Sequence, residues 1–347
     1  MFSLSVLNQT VASGVISVGL ADIFSFDYNG DILGICPFTF TRIIPMLKRF
    51  FQRLYFISWF FQIRCLGKQI PLQTVLGISD KCNLHCKHCS VVKPPSESKT
   101  KTYVQIEEEL KRCHRLGSRF VDFEGGEPFL WRDGDKTVDD LCALAKSLGF
   151  FSTTITTNAQ LPFSAPNADL IWVSLDGIGK WHDEIRGQGA FERLERNVAA
   201  SDFPFLNANM VVNRLNVESV DEVVQYVCDS PKFHTLSVNF HTPFPGTEAL
   251  ALDWETRRLV IDKLLAWKKK GAPIMNTSRG LRGLKDMTFE KRCWIANFVS
   301  PDGSFLPQCP GKDLGICERC GFGMASEMTG VYNLSPETIL AGLKARM

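Results

Sequence analysis

The sequence predicts an α/β fold of parallel strands, set out as a barrel or open barrel, with an amphipathic helix before it and a small Cys-rich module after it. Two patterns carry that expectation. Short apolar runs alternate with helix-period segments from residue 72 to residue 270, and strands joined through helices lie parallel. The rhythm then stops past Gly271, where Cys293, Cys309, Cys317 and Cys320 fall in a Gly- and Pro-containing stretch. The expected divisions are 1–71 for an N-terminal extension, 72–275 for the barrel and 276–347 for the C-terminal module.

Residues 1–41 contain no Lys or Arg, and the apolar run at 11–20 is broken by Ser and Gly, so neither a signal peptide nor a spanning helix is expected. From residue 32 to residue 79 there is no acid, while Arg42, Lys48, Arg49, Arg53, Arg64 and Lys68 stand among aromatics. Leu47, Phe50, Phe51, Leu54, Ile57 and Phe61 form one stripe on a helical wheel, and Lys48, Arg49, Gln52 and Arg53 face away from it. Residues 42–68 therefore read as a basic amphipathic helix. It suits either peripheral contact with the inner face of a membrane or packing over a barrel mouth.

Strands are expected at 72–79, 120–124, 152–157, 170–175, 208–212 and 235–240, and helices at 104–116, 137–148, 191–200, 217–227 and 254–270. Each strand is a short β-branched or aromatic run, and each helix carries a 3.6-residue apolar period.

Composition excludes several classes of function. The 39 basic and 37 acidic residues leave a net charge of +2, too little to draw the chain to nucleic acid. Twelve cysteines in 347 residues, several at metal-ligand spacing, point to a reducing compartment, so the cytoplasm is expected. Cys36, Cys65, Cys113, Cys142 and Cys228 lie in apolar or helical contexts and read as packing residues.

The chemistry is concentrated in Cys82-Asn-Leu-His-Cys86-Lys-His-Cys89, which follows the first strand. A C-x3-C-x2-C spacing lets three sulfurs take three corners of an iron–sulfur cube, leaving the fourth iron open to chelate a cofactor or substrate. A zinc site is the bland alternative, but zinc knuckles usually pair two Cys-x2-Cys or Cys/His units. Gly125-Gly126-Glu127-Pro128 follows the second strand, where barrel enzymes bind ligands. Thr156-Thr157-Asn158 ends the third strand, Ser174-Leu175-Asp176-Gly177 ends the fourth, and His182-Asp-Glu-Ile-Arg186-Gly187 follows.

These motifs, in this order, resemble the radical S-adenosylmethionine (radical SAM) superfamily over roughly residues 72–320. The resemblance implies a partial (β/α)6 TIM-like barrel, and a [4Fe–4S] cluster on Cys82, Cys86 and Cys89 that binds S-adenosylmethionine, with His88 as the planar ring before the third cysteine. Gly125, Gly126, Glu127 and Pro128 would hold the methionine ammonium. Ser174 and Arg186 would bind its carboxylate, and Thr157 and Asp176 would lie near its ribose or methionine part. Glu124 is unusual, since relatives mostly carry a small residue there. Asn213, Asn216, Asn239 and His241 are weaker candidates for the adenine or substrate side, and His241 suits a buried, hydrogen-bonded role equally well.

Cys293-x15-Cys309-x7-Cys317-x2-Cys320 resembles the shortened auxiliary-cluster module, called twitch, related to the larger SPASM module. It implies one auxiliary [4Fe–4S] cluster, and four thiols also satisfy tetrahedral zinc. The activity implied is reductive cleavage of S-adenosylmethionine to a 5′-deoxyadenosyl radical, which abstracts a hydrogen from a substrate or adds to it. A flavodoxin or ferredoxin would serve as reductant. A membrane lipid or isoprenoid is expected as substrate on the strength of residues 42–68, another small molecule is not excluded, and a ribosomal peptide is the alternative on the strength of the auxiliary module. Outside enzymology, an iron–sulfur or zinc-stabilised binding protein would need none of the methionine-site residues.

Overall fold

The computed structural model describes residues 24–26, 32–35, 37–90, 97–204 and 206–344, with side chains described between residues 49 and 342. The chain divides into two compact units, 1–61 and 62–347. In the first, β1 (Phe24–Phe26) pairs antiparallel with β2 (Ile32–Ile35), and α1 (Pro37–Cys65) follows and runs on to Cys65. Cys36 and the side chains of Arg42, Leu47 and Lys48 lie outside the described residues.

The second unit carries the expected alternation. In order come β3 (Gln73–Ser79), α2 (Tyr103–Leu116), β4 (Phe120–Gly125), α3 (Val138–Ser147), β5 (Ser152–Thr157) and β6 (Leu170–Ser174). There follow α4 (Lys180–Arg186), α5 (Ala190–Ala200), β7 (Leu206–Val212), α6 (Val220–Asp229), β8 (Phe233–Phe240) and α7 (Trp254–Lys269). The six strands β3 to β8 are parallel and adjacent in chain order, as an open barrel requires. Local chemistry sets the helix starts: Thr102 and Gln105 form a capping box on α2, and Asp253 accepts from the Thr256 N–H at the start of α7.

The strands sort their side chains by period two. Leu76, Ile78, Val121, Phe123, Ile155 and Val173 are fully buried in one core with Ile106, Leu110, Leu141 and Val223 of the helices. The alternate positions, among them Gln73, Asp122, Glu124, Thr154, Thr156 and Trp172, line a lumen of about 480 Å³. A parallel strand covered on one face and lumen-lining on the other thus mixes apolar and polar residues at every second position.

After residue 275 the chain stays within the second unit and completes the same sheet. Helix α8 (Ser278–Asp286) is followed by β9 (Ala296–Val299), parallel to β3, and β10 (Phe305–Leu306), antiparallel to β9, so the sheet has eight strands. Helices α9 (Gly323–Tyr332) and α10 (Pro336–Lys344) end the described chain. Met324 and Met328 of α9 line the lumen with Met275. The segment before α9 is tied to β8: the Phe240 N–H donates to the Gly321 carbonyl at 2.8 Å, and the Gly323 N–H to Asn239 Oδ1 at 2.7 Å.

A Cβ on residue 321 would stand 1.7 Å from the Phe240 carbonyl oxygen, a backbone atom that cannot turn aside. Gly321→Ala is therefore expected to cost on the order of 2–3 kcal/mol and to loosen the chain after residue 275 from β8. The measurement is limited trypsin digestion beside thermal unfolding. Wild-type protection of the 279–319 sites in the variant would show that this contact is dispensable.

Candidate functional site

The cysteine loop leaves β3 and is clamped from β4. The Gly126 N–H donates to the Ser79 carbonyl at 2.7 Å and the Glu127 N–H to the Lys81 carbonyl at 2.8 Å. A Cβ on Gly125 would lie 2.2 Å from the Ser79 oxygen, and one on Gly126 2.0 Å from the Lys81 oxygen, so both positions need glycine. The close approach these glycines permit is to the cluster loop's own backbone, not solely to a ligand as the sequence suggests.

Glu127 is buried and accepts three hydrogen bonds, from Thr157 Oγ1 at 2.8 Å, the Asn158 N–H at 2.7 Å and the Phe129 N–H at 3.1 Å. Pro128 then starts a short 3-10 turn. Thr157 thus serves Glu127 directly. Asn158 continues the line: its Nδ2 donates to Asn83 Oδ1 at 2.8 Å and approaches Cys82 Sγ at 3.6 Å. Sequence reasoning assigned Asn158 no role, although its place after two strand-end threonines pointed at the same mouth.

On the other side of the loop, Arg186 at the end of α4 lies buried against the fully buried Asp176, Nε to Oδ2 at 2.7 Å, with Nη1 3.9 Å from Cys86 Sγ. Burial alone would raise the Asp176 carboxyl, but Arg186, His88 and the Val211 N–H together hold it below its ordinary value. Burial pushes the Cys86 thiol up to about 11 despite the pull of Arg186, and raises Cys82 as well. Burial also pushes His88 down to about 4, so its ring, 3.7 Å from Asp176 Oδ2, is neutral at pH 7. Ser174 is buried at the end of β6, opposite Asn209 of β7.

The weaker candidates separate. Asn216 is fully buried and braces the chain, donating to the Asp176 carbonyl at 2.6 Å and accepting from the Asn213 N–H at 2.7 Å. His241 is held by the Thr247 carbonyl and hydroxyl, each at 3.0 Å, which is the hydrogen-bonded role. Asn239 and His241 both line the lumen.

Cys293, Cys309, Cys317 and Cys320 share one locality. Burial, then the three other thiols, push Cys293 up to about 12, and Cys309 is pushed to about 11 by burial together with Cys320 and Cys317. Among the described residues no three His, Cys, Asp or Glu side chains close on one metal position. The fit of either thiol set to iron therefore rests on donor chemistry and on the spacing of the cysteines along the chain. Three soft thiols on one half-buried loop, with a guanidinium beside one of them, fit a site-differentiated cluster, and four thiols fit a closed cluster or zinc.

The lumen opens beside this loop, with His88 and Ser90 on its rim. Asp122 and Glu124 stand two apart on one face of β4 and both line it, a pairing visible in the sequence as an i, i+2 repeat. A second cavity of about 540 Å³ lies among Phe151, Ser152, Asp169 and Phe203, at the opposite ends of β5 and β6. It holds none of the motif residues.

Burial and the Asp122 charge push the Glu124 carboxyl up to about 7, against the weaker pull of Thr156. The folded chain therefore holds this proton more tightly than the unfolded chain, in which Glu titrates near about 4.3. The associated stability is complete below that value and is lost as pH rises through about 7. The loss is on the order of 3 kcal/mol. Glu124→Gln removes the titrating group, so its urea midpoint is expected to gain on wild type between about pH 5 and about pH 8. Parallel pH profiles for the two proteins would show an unshifted carboxyl.

Residues 76–227 match the Radical SAM superfamily. Mycofactocin maturase MftC of Mycobacterium tuberculosis (strain ATCC 25618 / H37Rv) is 32% identical over 167 residues, which cover 45% of this chain and 41% of that protein. Sporulation killing factor maturation protein SkfB of Bacillus subtilis (strain 168) is 26% identical over 205 residues, covering 55% and 48%. Each match thus spans less than half the length of these relatives. Streptococcus suis SuiB, solved bound to S-adenosylmethionine, shares the fold at a TM-score of 0.55 and 19% identity, over 80% of this chain and 68% of that one. The cysteine loop, its Gly-Gly-Glu-Pro clamp and the Asp176–Arg186 pair all lie in the stretch, residues 76–227, that is similar to the radical SAM superfamily.

Proposed function

We propose that this chain is a radical SAM enzyme that modifies a peptide. The observation that carries the reading is the lining of the lumen below the cysteine loop. Asn209, Ser237, Asn239, Thr154, Thr156 and Glu124 bring polar groups to a wall that is otherwise largely apolar, with Trp172, Phe240, Phe244, Met275, Phe322 and Met324. A peptide carries amides and apolar side chains along one chain and meets both parts of this wall, whereas an alkyl or isoprenoid chain meets only the apolar part. The lipid or isoprenoid substrate expected from residues 42–68 is accordingly set aside. The maturase names of MftC and SkfB support the peptide reading.

When bound, the cluster supplies one electron and S-adenosylmethionine the 5′-deoxyadenosyl group that takes a hydrogen atom. The chain's residues position and shield. Cys82, Cys86 and Cys89 would hold the cluster, with Asn158 and Arg186 directed at two of their sulfurs. Arg186 and Ser174 would take the cofactor carboxylate, and the Gly125–Pro128 turn its ammonium. Asp176 keeps Arg186 charged and oriented. Glu124, titrating near pH 7, can give a proton to a substrate carbonyl or accept a hydrogen bond from a substrate N–H. Cys293, Cys309, Cys317 and Cys320 would hold an auxiliary cluster. An electron carrier of the flavodoxin or ferredoxin class supplies the reducing equivalent. None of the eleven described cysteines is in a disulfide, in keeping with a cytoplasmic, reducing setting.

Replacing Cys82, Cys86 and Cys89 with Ala should abolish 5′-deoxyadenosine formation in anaerobic incubations with dithionite. Undiminished cleavage would end the radical SAM reading of this loop. With wild type, peptide fractions of a cell extract should raise 5′-deoxyadenosine output and lipid fractions should not; the reverse result would restore the lipid substrate.

Iron after anaerobic reconstitution should approach two cubane clusters, about eight atoms per chain, and fall to about half when Cys317 and Cys320 are replaced by Ser. Stoichiometric zinc in wild type would instead make the C-terminal site a structural one.

A further inference from the structure

Helix α1 turns an apolar stripe to solvent. Phe50, Phe51, Leu54, Ile57 and Phe61 are 54%, 62%, 44%, 67% and 55% exposed, far beyond the scattered apolar exposure of an ordinary surface. Their spacing of one, three, three and four residues keeps them on one side of the helix. Trp59 and Ile63, on the other side, are buried. The charge beside the stripe has a single sign: Arg49 and Arg53 are exposed next to it, Arg64 and Lys68 are exposed beyond it, and residues 32–79 contain no Asp or Glu.

We propose that α1 lies in the surface of an anionic lipid bilayer, with the Phe50–Phe61 stripe among the acyl chains and its arginines at the headgroups. Two features select this occupant. A second copy of the same face would bring Arg49 and Arg53 of both chains together with no acid on the helix to pair them, which like-charge repulsion opposes. A bilayer instead offers an apolar layer and negative headgroups at adjoining depths, the two chemistries this face carries side by side. The helix lies flat. No helix among the described residues is long and apolar enough to cross a membrane, and the exposed stripe spans only about 18 Å along the axis.

The test uses the full chain with its clusters reconstituted, sedimented with vesicles of phosphatidylcholine alone or of equal parts phosphatidylcholine and phosphatidylglycerol. Wild type is expected to sediment with the anionic vesicles at low salt, and the bound fraction to fall as salt rises. Ile57→Ser with Phe61→Ser should weaken binding about tenfold or more even at low salt. Arg49→Glu with Arg53→Glu should abolish the preference for anionic vesicles, while the charge-keeping Arg49→Lys with Arg53→Lys retains it. Far-UV circular dichroism and 5′-deoxyadenosine formation of each variant show whether its fold survives. Absence of wild-type sedimentation at low salt overturns the proposal, as does binding that neither pair of substitutions changes. Self-association of wild type by sedimentation equilibrium, lost in the Ile57/Phe61 variant, would assign the stripe to a second copy and overturn it too.

Discussion

The site depends on how closely two loops can approach. At 2.7 and 2.8 Å, the Gly126 and Glu127 N–H groups bond to the carbonyls on either side of Asp80, and any side chain at Gly125 or Gly126 would break that contact. The consequence spreads sideways through Glu127. Its buried carboxylate joins the turn after β4 to the end of β5, and Asn158 there reaches back to Asn83 and Cys82. A coil loop holding three metal ligands has little regular structure of its own to fix its thiols. Here the ends of β3, β4 and β5 fix it together, and burial of Glu127 makes each missing donor costly.

Electrostatics adds a second constraint. Burial works against thiolate at Cys86 and against charge on His88 and His182, which is pushed down to about 3. Both rings are therefore neutral at pH 7, and Arg186 is the cation beside the cysteine loop whose charge burial does not remove. Asp176 holds it there, and that pair is itself fully enclosed, so removing one partner strands the other's charge in a poorly solvated place. Iron held by these thiols, as proposed, would change the balance by taking the position of their protons. The arginine is poised for that charged state rather than for three neutral thiols.

Much of the barrel was legible because its strands and helices repeat local patterns. All six expected strands and five expected helices are present within a few residues of the expected positions. The cysteine spacing and the strand-end motifs were legible for the same reason, being local. What was not legible depends on remote partners. Residues 296–299 become β9 only because the open edge of β3, more than two hundred residues earlier, accepts them, and four residues carry no pattern that names that edge. Helix α4 went unnoticed because seven residues give too short a period, and its sequence reads first as an arginine motif. Asn213 and Asn216 looked like ligand groups because an exposed amide and a bracing one are identical in sequence; only the Asp176 carbonyl beside Asn216 distinguishes them.

The C-terminal cysteines lie next to the lumen in the chain. Cys320 is followed at once by Gly321, whose backbone lies on Phe240, and then by Phe322, Gly323 and Met324, which form part of the lumen wall. His88 and Ser90, flanking Cys89, form the wall at the other side. One cavity is therefore bounded by chain leaving each thiol set. Metal bound only to the folded arrangement stabilises that arrangement by mass action, and the segment stabilised here includes the wall a substrate must fit. Should these cysteines hold a metal as proposed, metal content at Cys317 and Cys320 and the shape of the lumen would be two readings of one folding equilibrium, linked through the backbone of Gly321.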